Sequence, residues 1–355
     1  MIKAPEYVSS IKPYVPGKPV EELERELGIK GSVKLASNEN PLGPSPRAIE
    51  ALSASLGSLN RYPDGGGYYL KGALSRSLDV KEDELILGNG SNELIDIAVR
   101  TFLSPGDEAV MAFPSFVVYP MSVKAQGAKA VEVPLMDMRH DLEAMADVVT
   151  PKTKMLFIAN PNNPTGTINT KGEIDRLMAR LPDGVLVVVD EAYFEYVRNP
   201  DYADSLRHFR AGRDMLILRT FSKIYGLAGL RIGYGIARPE IIREMNKLRP
   251  PFNTNSLAQA AAAAALADTG HLERSKDVNE NGRRYLYTEL SALGVRYTPT
   301  EANFIYMPVK DSASIYDALL RKGVIVRPMG PGHLRVTIGL PDENARFIEA
   351  IKPLL

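Results

Sequence analysis

The 355-residue chain contains no cysteine. That excludes disulfides, thiolate metal sites, iron–sulfur clusters and a cysteine nucleophile, and it fits a reducing compartment. No charge of either sign is in excess, because 43 Lys and Arg balance 43 Asp and Glu. A general binder of nucleic acid or anionic membranes carries a basic surplus, so neither partner is expected. No run of about 18 apolar residues is present, the length a membrane span needs. The opening Met1-Ile2-Lys3-Ala4-Pro5-Glu6 lacks the apolar stretch of a secretory signal. His140, His208, His271 and His333 are scattered without a metal-binding spacing, so no metal is expected. What remains is a soluble, cytoplasmic globular protein that handles small molecules.

At roughly 150 residues per domain, the length suggests two domains. From about residue 84, short apolar runs end in Gly, Pro, Asn or Ser clusters, and longer amphipathic stretches follow. Glu84 to Leu87, Ala109 to Ala112, Met155 to Ala159, Val185 to Val189, Met215 to Leu218 and Ile232 to Ala237 are such runs. Continuous apolar runs separated by helices read as buried strands of a mainly parallel sheet, an α/β architecture with three layers. After Pro250-Pro251 the character changes. An alanine-rich helix precedes two strands, Phe304 to Met307 and Leu334 to Ile338, with the helix Ser314 to Arg321 between them. The expected division is an arm over 1–35 that joins the small domain, a large domain over 36–250 and a small α+β domain over 251–355.

In open α/β sheets, ligands bind beyond the carboxyl ends of the strands. The residues just after each run therefore hold the candidate chemistry. Gly88-Asn89-Gly90-Ser91-Asn92-Glu93 follows one strand and opens a helix. Its free N–H groups attract a phosphate. The third glycine of a dinucleotide fingerprint and the Gly-Lys-Ser/Thr of a P-loop are missing. Glu108, 20 residues past Gly88, keeps a dinucleotide site open on spacing, and an ordinary helix start is the other reading. Asn160-Pro161-Asn162-Asn163-Pro164-Thr165-Gly166 makes a rigid polar loop or a plain turn, with a candidate cis X-Pro bond.

Asp190, in Asp190-Glu191-Ala192-Tyr193, ends the most apolar strand. A carboxylate there needs a proton, a cation or a protonated heterocycle as partner, unless it caps the next loop. Lys223 sits in Thr220-Phe221-Ser222-Lys223, a stretch with few charges directly after another strand. Burial lowers a lysine's pKa and frees its amine for Schiff-base chemistry. Arg231 and the hydroxyls of Thr220 and Ser222 suit a phosphate. One ligand uses a phosphate cradle, a carboxylate, a desolvated lysine and an arginine together. Pyridoxal 5'-phosphate has a phosphate, a ring nitrogen that works best protonated and an aldehyde that condenses with lysine.

With Leu35-Ala36-Ser37-Asn38-Glu39-Asn40-Pro41, Arg61-Tyr62-Pro63-Asp64 and Leu334-Arg335-Val336 added in order, the chain resembles the fold-type I pyridoxal-phosphate aminotransferases. Among them the histidinol-phosphate aminotransferases are most similar. The resemblance implies that Lys223 carries the cofactor and shuttles the proton, that Asp190 pairs with the pyridine nitrogen, and that Asn163 and Tyr193 bond the ring hydroxyl oxygen. Phe116 would stack on the ring, with a plain core phenylalanine as the rival reading. Gly90, Ser91, Asn92, Thr220, Ser222 and Arg231 would hold the phosphate, and Tyr62 would reach the neighbouring subunit's cofactor in a homodimer with shared sites. Arg335 would clamp the substrate carboxylate, Tyr14 and Arg327 would approach the substrate's phosphate, and Asn38 would belong to the same substrate pocket.

Two positions depart from the family pattern: Asn92 stands where many members carry an acid, and Phe116 lacks the hydroxyl of a tyrosine. The implied reaction is amino transfer between histidinol phosphate, a phosphorylated amino alcohol, and 2-oxoglutarate, which becomes glutamate. Threonine-phosphate decarboxylation and aromatic amino-acid transamination are the alternatives on the same fold. A nicotinamide-dependent oxidoreductase and a non-catalytic ligand-binding module are more distant ones.

Overall fold

The computed structural model describes residues 2–355. Its strands in chain order are β1 (Val33–Lys34), β2 (Leu85–Gly88), β3 (Glu108–Phe113), β4 (Lys129–Pro134), β5 (Thr153–Ala159), β6 (Leu186–Asp190), β7 (Met215–Thr220), β8 (Gly233–Ile236), β9 (Phe304–Pro308), β10 (Val324–Ile325), β11 (Arg327–Pro328) and β12 (His333–Thr337). Seven of them form the main sheet in the order β2-β8-β7-β6-β5-β3-β4. Strand β8 runs antiparallel to both its neighbours, and the other four pairs are parallel. Six of these strands coincide with the apolar runs of the sequence. The seventh, β4, is an edge strand in which Lys129 and Glu132 interrupt the apolar residues, so it shows no continuous run. Edge strands tolerate such charges because one side stays solvated.

Alternate residues of the buried strands face opposite cores, as the two-residue strand period requires. Val187, Val189, Leu156, Ile158, Met215 and Ile217 enter one core cluster. Leu186, Val188, Met155, Phe157, Leu216 and Leu218 enter the other. The first cluster is covered by the helices Lys171–Arg180, Tyr68–Leu78 and Ser256–Leu266, and the second by Ser91–Phe102, Val118–Ala125 and Pro239–Leu248. Helices on both faces of a mainly parallel sheet give the expected three-layer α/β arrangement.

The alanine-rich helix Ser256–Leu266 starts where Asn255 Oδ1 accepts the Ala258 N–H at 2.7 Å. Ala258, Ala261, Ala262 and Ala265 are buried in the first cluster. Small side chains let this helix approach its neighbours closely, so the large core continues past residue 250. A third cluster, with Leu286, Leu290, Ile305, Leu334, Val336 and Phe347, packs on the antiparallel sheet β11-β12-β9. The amino-terminal region joins this part, because β1 pairs in parallel with β10.

The ends of the main strands meet at one rim. Thr220 and Gly88 both lie opposite Gly233 in the register, and Asp190 ends β6 beside Ala159 of β5. Gly233 is pressed against the rim's backbone: a Cβ there would lie 2.5 Å from Ser91 N and 3.0 Å from Arg219 O. Gly233→Ala is therefore expected to destabilise the protein by about 1–3 kcal/mol, the usual range for overpacking. Chemical denaturation of the two proteins side by side checks this.

Candidate active site

Lys223 lies three residues past the end of β7, on a short turn in which Gly226 N donates to Lys223 O at 3.0 Å. Its ammonium donates to Ser37 O at 3.1 Å. Burial pushes its pKa down to about 8; the Arg335 and Arg231 charges act in the same direction, and Glu39 and Asp190 oppose them. A neutral amine is therefore accessible near physiological pH, unlike that of a solvated lysine.

Asp190 ends the valine-rich β6 and is buried. Its Oδ2 accepts the Tyr119 hydroxyl at 2.8 Å, and its Oδ1 accepts the Ala192 N–H at 3.1 Å. Burial raises its pKa to about 6, and the two hydrogen bonds limit that rise. Tyr193, also buried, accepts a hydrogen bond from Asn38 Nδ2 at 2.8 Å. Its ring centroid lies 5.7 Å from Lys223 Nζ.

Arg335 enters from β12. It donates to Asn163 Oδ1 at 2.5 Å and to Ala36 O at 2.7 Å, and its guanidinium carbon lies 5.3 Å from the Phe304 ring centroid. Its buried Nε has no partner among the described residues. A nearly buried guanidinium with an unused donor suits a carboxylate. Arg327 sits 5.3 Å from the ring centroid of Tyr14 and donates to Val15 O at 2.7 Å, which ties the amino-terminal arm to the small sheet.

At the other end lies the start of the helix Ser91–Phe102. Gly90 caps it with φ 78° and no side-chain bond, leaving the first amides open. A Cβ on Gly90 would lie 2.4 Å from Arg231 Nη2, so any larger residue there would push the guanidinium off the helix start. Arg231 Nη1 also reaches Ser222 Oγ at 3.3 Å. A helix amino terminus, an arginine and hydroxyls are groups that can together hold a phosphate.

These parts open on one cavity of about 680 Å³. Its walls include Tyr14, Asn38, Ser91, Asn92, Phe116, Asn163, Asp190, Tyr193, Thr220, Ser222, Lys223, Arg231, Arg327 and Arg335. Gly90 lies beneath Arg231, next to that wall. Tyr62 does not line the cavity. It is 82% exposed and stacks on Phe252 with ring centroids 4.7 Å apart.

Several residues of the site were not singled out from the sequence. Tyr119 holds Asp190 from the adjacent helix, and Ser37 lends its carbonyl to Lys223. Glu191 and Arg219 form a buried ion pair at 2.8 Å beside Asp190, with the Arg219 guanidinium 3.8 Å from the Phe194 ring centroid. His140 Nε2 meets Asn162 Oδ1 at 3.0 Å, and Ser115 Oγ donates to the same oxygen at 2.9 Å. That network joins the loop carrying Phe116 to the one carrying Asn163. Of the loop's two candidate X-Pro bonds, Asn160–Pro161 is cis; a further cis bond lies at Phe113–Pro114. None of these residues carried a readable signal in the sequence.

A sheet rim presenting a desolvated lysine, a carboxylate and a phosphate cradle is the architecture of a pyridoxal-phosphate-type transferase. A family model described as aminotransferase class I and II matches residues 30–351. The chain is 52% identical over 359 residues to the histidinol-phosphate aminotransferase of Moorella thermoacetica, covering 99% of this chain and 93% of that one. It is 51% identical to histidinol-phosphate aminotransferase 1 of Nitrosococcus oceani, covering 98% and 95%. The solved histidinol-phosphate aminotransferase of Sinorhizobium meliloti, in complex with pyridoxal-5'-phosphate, superposes with a TM-score of 0.91 at 28% identity, covering 100% and 99% of the two chains. The chain belongs to the class I and II aminotransferases and, within them, to the histidinol-phosphate aminotransferase family.

The depressed pKa of Lys223 is directly measurable. In the protein freed of small molecules, labelling of Lys223 by an amine-selective reagent is expected to reach half its maximal rate near pH 8. Surface lysines will do so more than a unit higher. Peptide mass spectrometry across a pH series reads both.

Proposed function

We propose that this protein catalyses transamination of histidinol phosphate in histidine biosynthesis, with pyridoxal 5'-phosphate as cofactor and 2-oxoglutarate as amino acceptor. The products are imidazole acetol phosphate and glutamate. The observation that carries the reading is the convergence of Lys223, Asp190 and the Gly90–Arg231 cradle on one cavity. The 52% identity to a relative of that name supports the substrate.

The residues fit the cofactor. Lys223 offers an amine, Asp190 a carboxylate and Phe116 a ring face. Asn163 and Tyr193 offer polar groups for the ring hydroxyl. Ser91, Asn92, Thr220, Ser222 and Arg231, which line the same cavity, would hold the phosphate. When bound, the cofactor supplies an electron sink for the substrate carbon that bears nitrogen. Lys223 Nζ, as the neutral amine, would accept the proton that leaves that carbon and deliver it to the cofactor carbon that shares the nitrogen. Asp190 would hold positive charge on the ring nitrogen, and its burial strengthens such an attraction. Arg335 orients a substrate carboxylate such as that of 2-oxoglutarate. Arg327 and Tyr14 lie where they can meet a substrate phosphate beneath the amino-terminal arm.

The same reading makes the protein a cytoplasmic homodimer. Among the described residues, no helix is long and apolar enough to cross a membrane. Tyr62, Tyr68, Tyr69 and Phe252 expose aromatic surface, as a subunit contact requires. Tyr62 then reaches the neighbouring subunit's cofactor phosphate. The cleft lies between the large domain and the small domain that the arm joins.

Lys223→Ala is expected to abolish turnover while the protein stays folded; sustained multiple turnover by this variant would refute the assignment. Mixed dimers of Lys223→Ala with Tyr62→Ala subunits should regain activity, because one site then has both residues intact. In a half-reaction screen that follows the cofactor absorbance, histidinol phosphate should react far faster than phenylalanine or tyrosine. Release of carbon dioxide from a phosphorylated amino acid would favour the lyase alternative instead.

A further inference from the structure

The carboxylate of Asp190 is held by a side chain with a second contact in the site. Tyr119 is 1% exposed, and its ring stacks on Phe157 with centroids 4.9 Å apart and planes 15° from parallel. That stacking fixes the phenol in the sheet-facing wall. From there the hydroxyl donates to Asp190 Oδ2 at 2.8 Å, while the ring meets Phe116 edge-on at 5.5 Å and 85°. One residue thus touches both the carboxylate and the ring-face residue. Asp190 Oδ1 accepts the Ala192 N–H. The other titratable groups near the carboxylate are Lys223, Glu191 and Tyr193.

We propose that Tyr119 is a positioning residue that keeps the proton on the cofactor's ring nitrogen. It does so by donating to Asp190 Oδ2, which stabilises the carboxylate as an anion, and by packing its ring edge-on against Phe116. A hydrogen bond to a charged acceptor is stronger than a neutral one. Removing it from a buried carboxylate makes that group more basic, and a proton shared with a facing ring nitrogen then moves toward Asp190. The aromatic stack on Phe157 keeps the donor aligned without any help from solvent. This inference rests on the functional reading above.

The test is the nitrogen-15 chemical shift of ring-labelled pyridoxal 5'-phosphate bound to the native protein and to Tyr119→Phe. The native signal should be that of a protonated pyridine. The variant's signal should move toward neutral pyridine, and kcat should fall about tenfold with KM little changed, as loss of one charged hydrogen bond implies. A variant with the native ring signal overturns the proposal, and so does one in which only KM and thermal stability change. A native protein that takes up no cofactor defeats the functional reading, and this inference with it.

Should Tyr119→Phe fail to fold, 3-fluorotyrosine at position 119 keeps the shape and the donor. Its fluorine resonance in the cofactor-free protein should then follow the ionisation of Asp190 near pH 6, and the step should vanish on adding Asp190→Asn. A resonance without that step overturns the proposal as well.

Discussion

An amine and a carboxylate withdrawn from water at one sheet rim constrain everything else in this protein. Burial penalises the charged form of both. It brings Lys223 down to about 8 and Asp190 up to about 6. Each remains useful only because its surroundings are fixed: Ser37 O for the lysine, Tyr119 and the Ala192 amide for the aspartate. The strands that deliver them must therefore be rigid and dry, which the two-sided packing of β6 and β7 provides.

The zero net charge conceals a local imbalance. Arg231, Arg327, Arg335 and Lys223 all line one cavity, against three lining acids, Glu39, Asp96 and Asp190. A cleft with excess positive charge and low-dielectric walls draws in small anions, because the field is focused there rather than spread over the surface. Overall neutrality argues against a polyanion partner, yet it is compatible with a phosphate at one end of the cleft and a carboxylate or phosphate at the other.

Much of the fold was legible because the buried strands are continuous apolar runs and their ends carry Gly, Asn, Asp or Ser. The edge strand β4 was not, since its charged residues break the run. The alanine-rich helix was legible as a helix but not as part of the large core. Its partners, the helices Pro46–Ser55 and Tyr68–Leu78, lie about two hundred residues earlier. In the site, Lys223, Asp190 and Asn163 stood out because polar residues directly after apolar strands are costly without a task. Tyr119, Arg219 and His140 did not, because a phenol in a helix, a charge inside a strand and a lone histidine look the same whether or not they have partners.

The sequence by itself determined the α/β class, the rim residues and the chemistry they can perform, because strand period and residue type are local properties. Tertiary structure decided which oxygen of Asp190 meets Tyr119, that Arg335 donates to Asn163, and that Arg231 crosses Gly90. Those contacts join residues 71, 172 and 141 positions apart. Only the packed sheet and its helices bring such distant positions within hydrogen-bond reach, since a hydrogen bond requires heavy atoms about 3 Å apart.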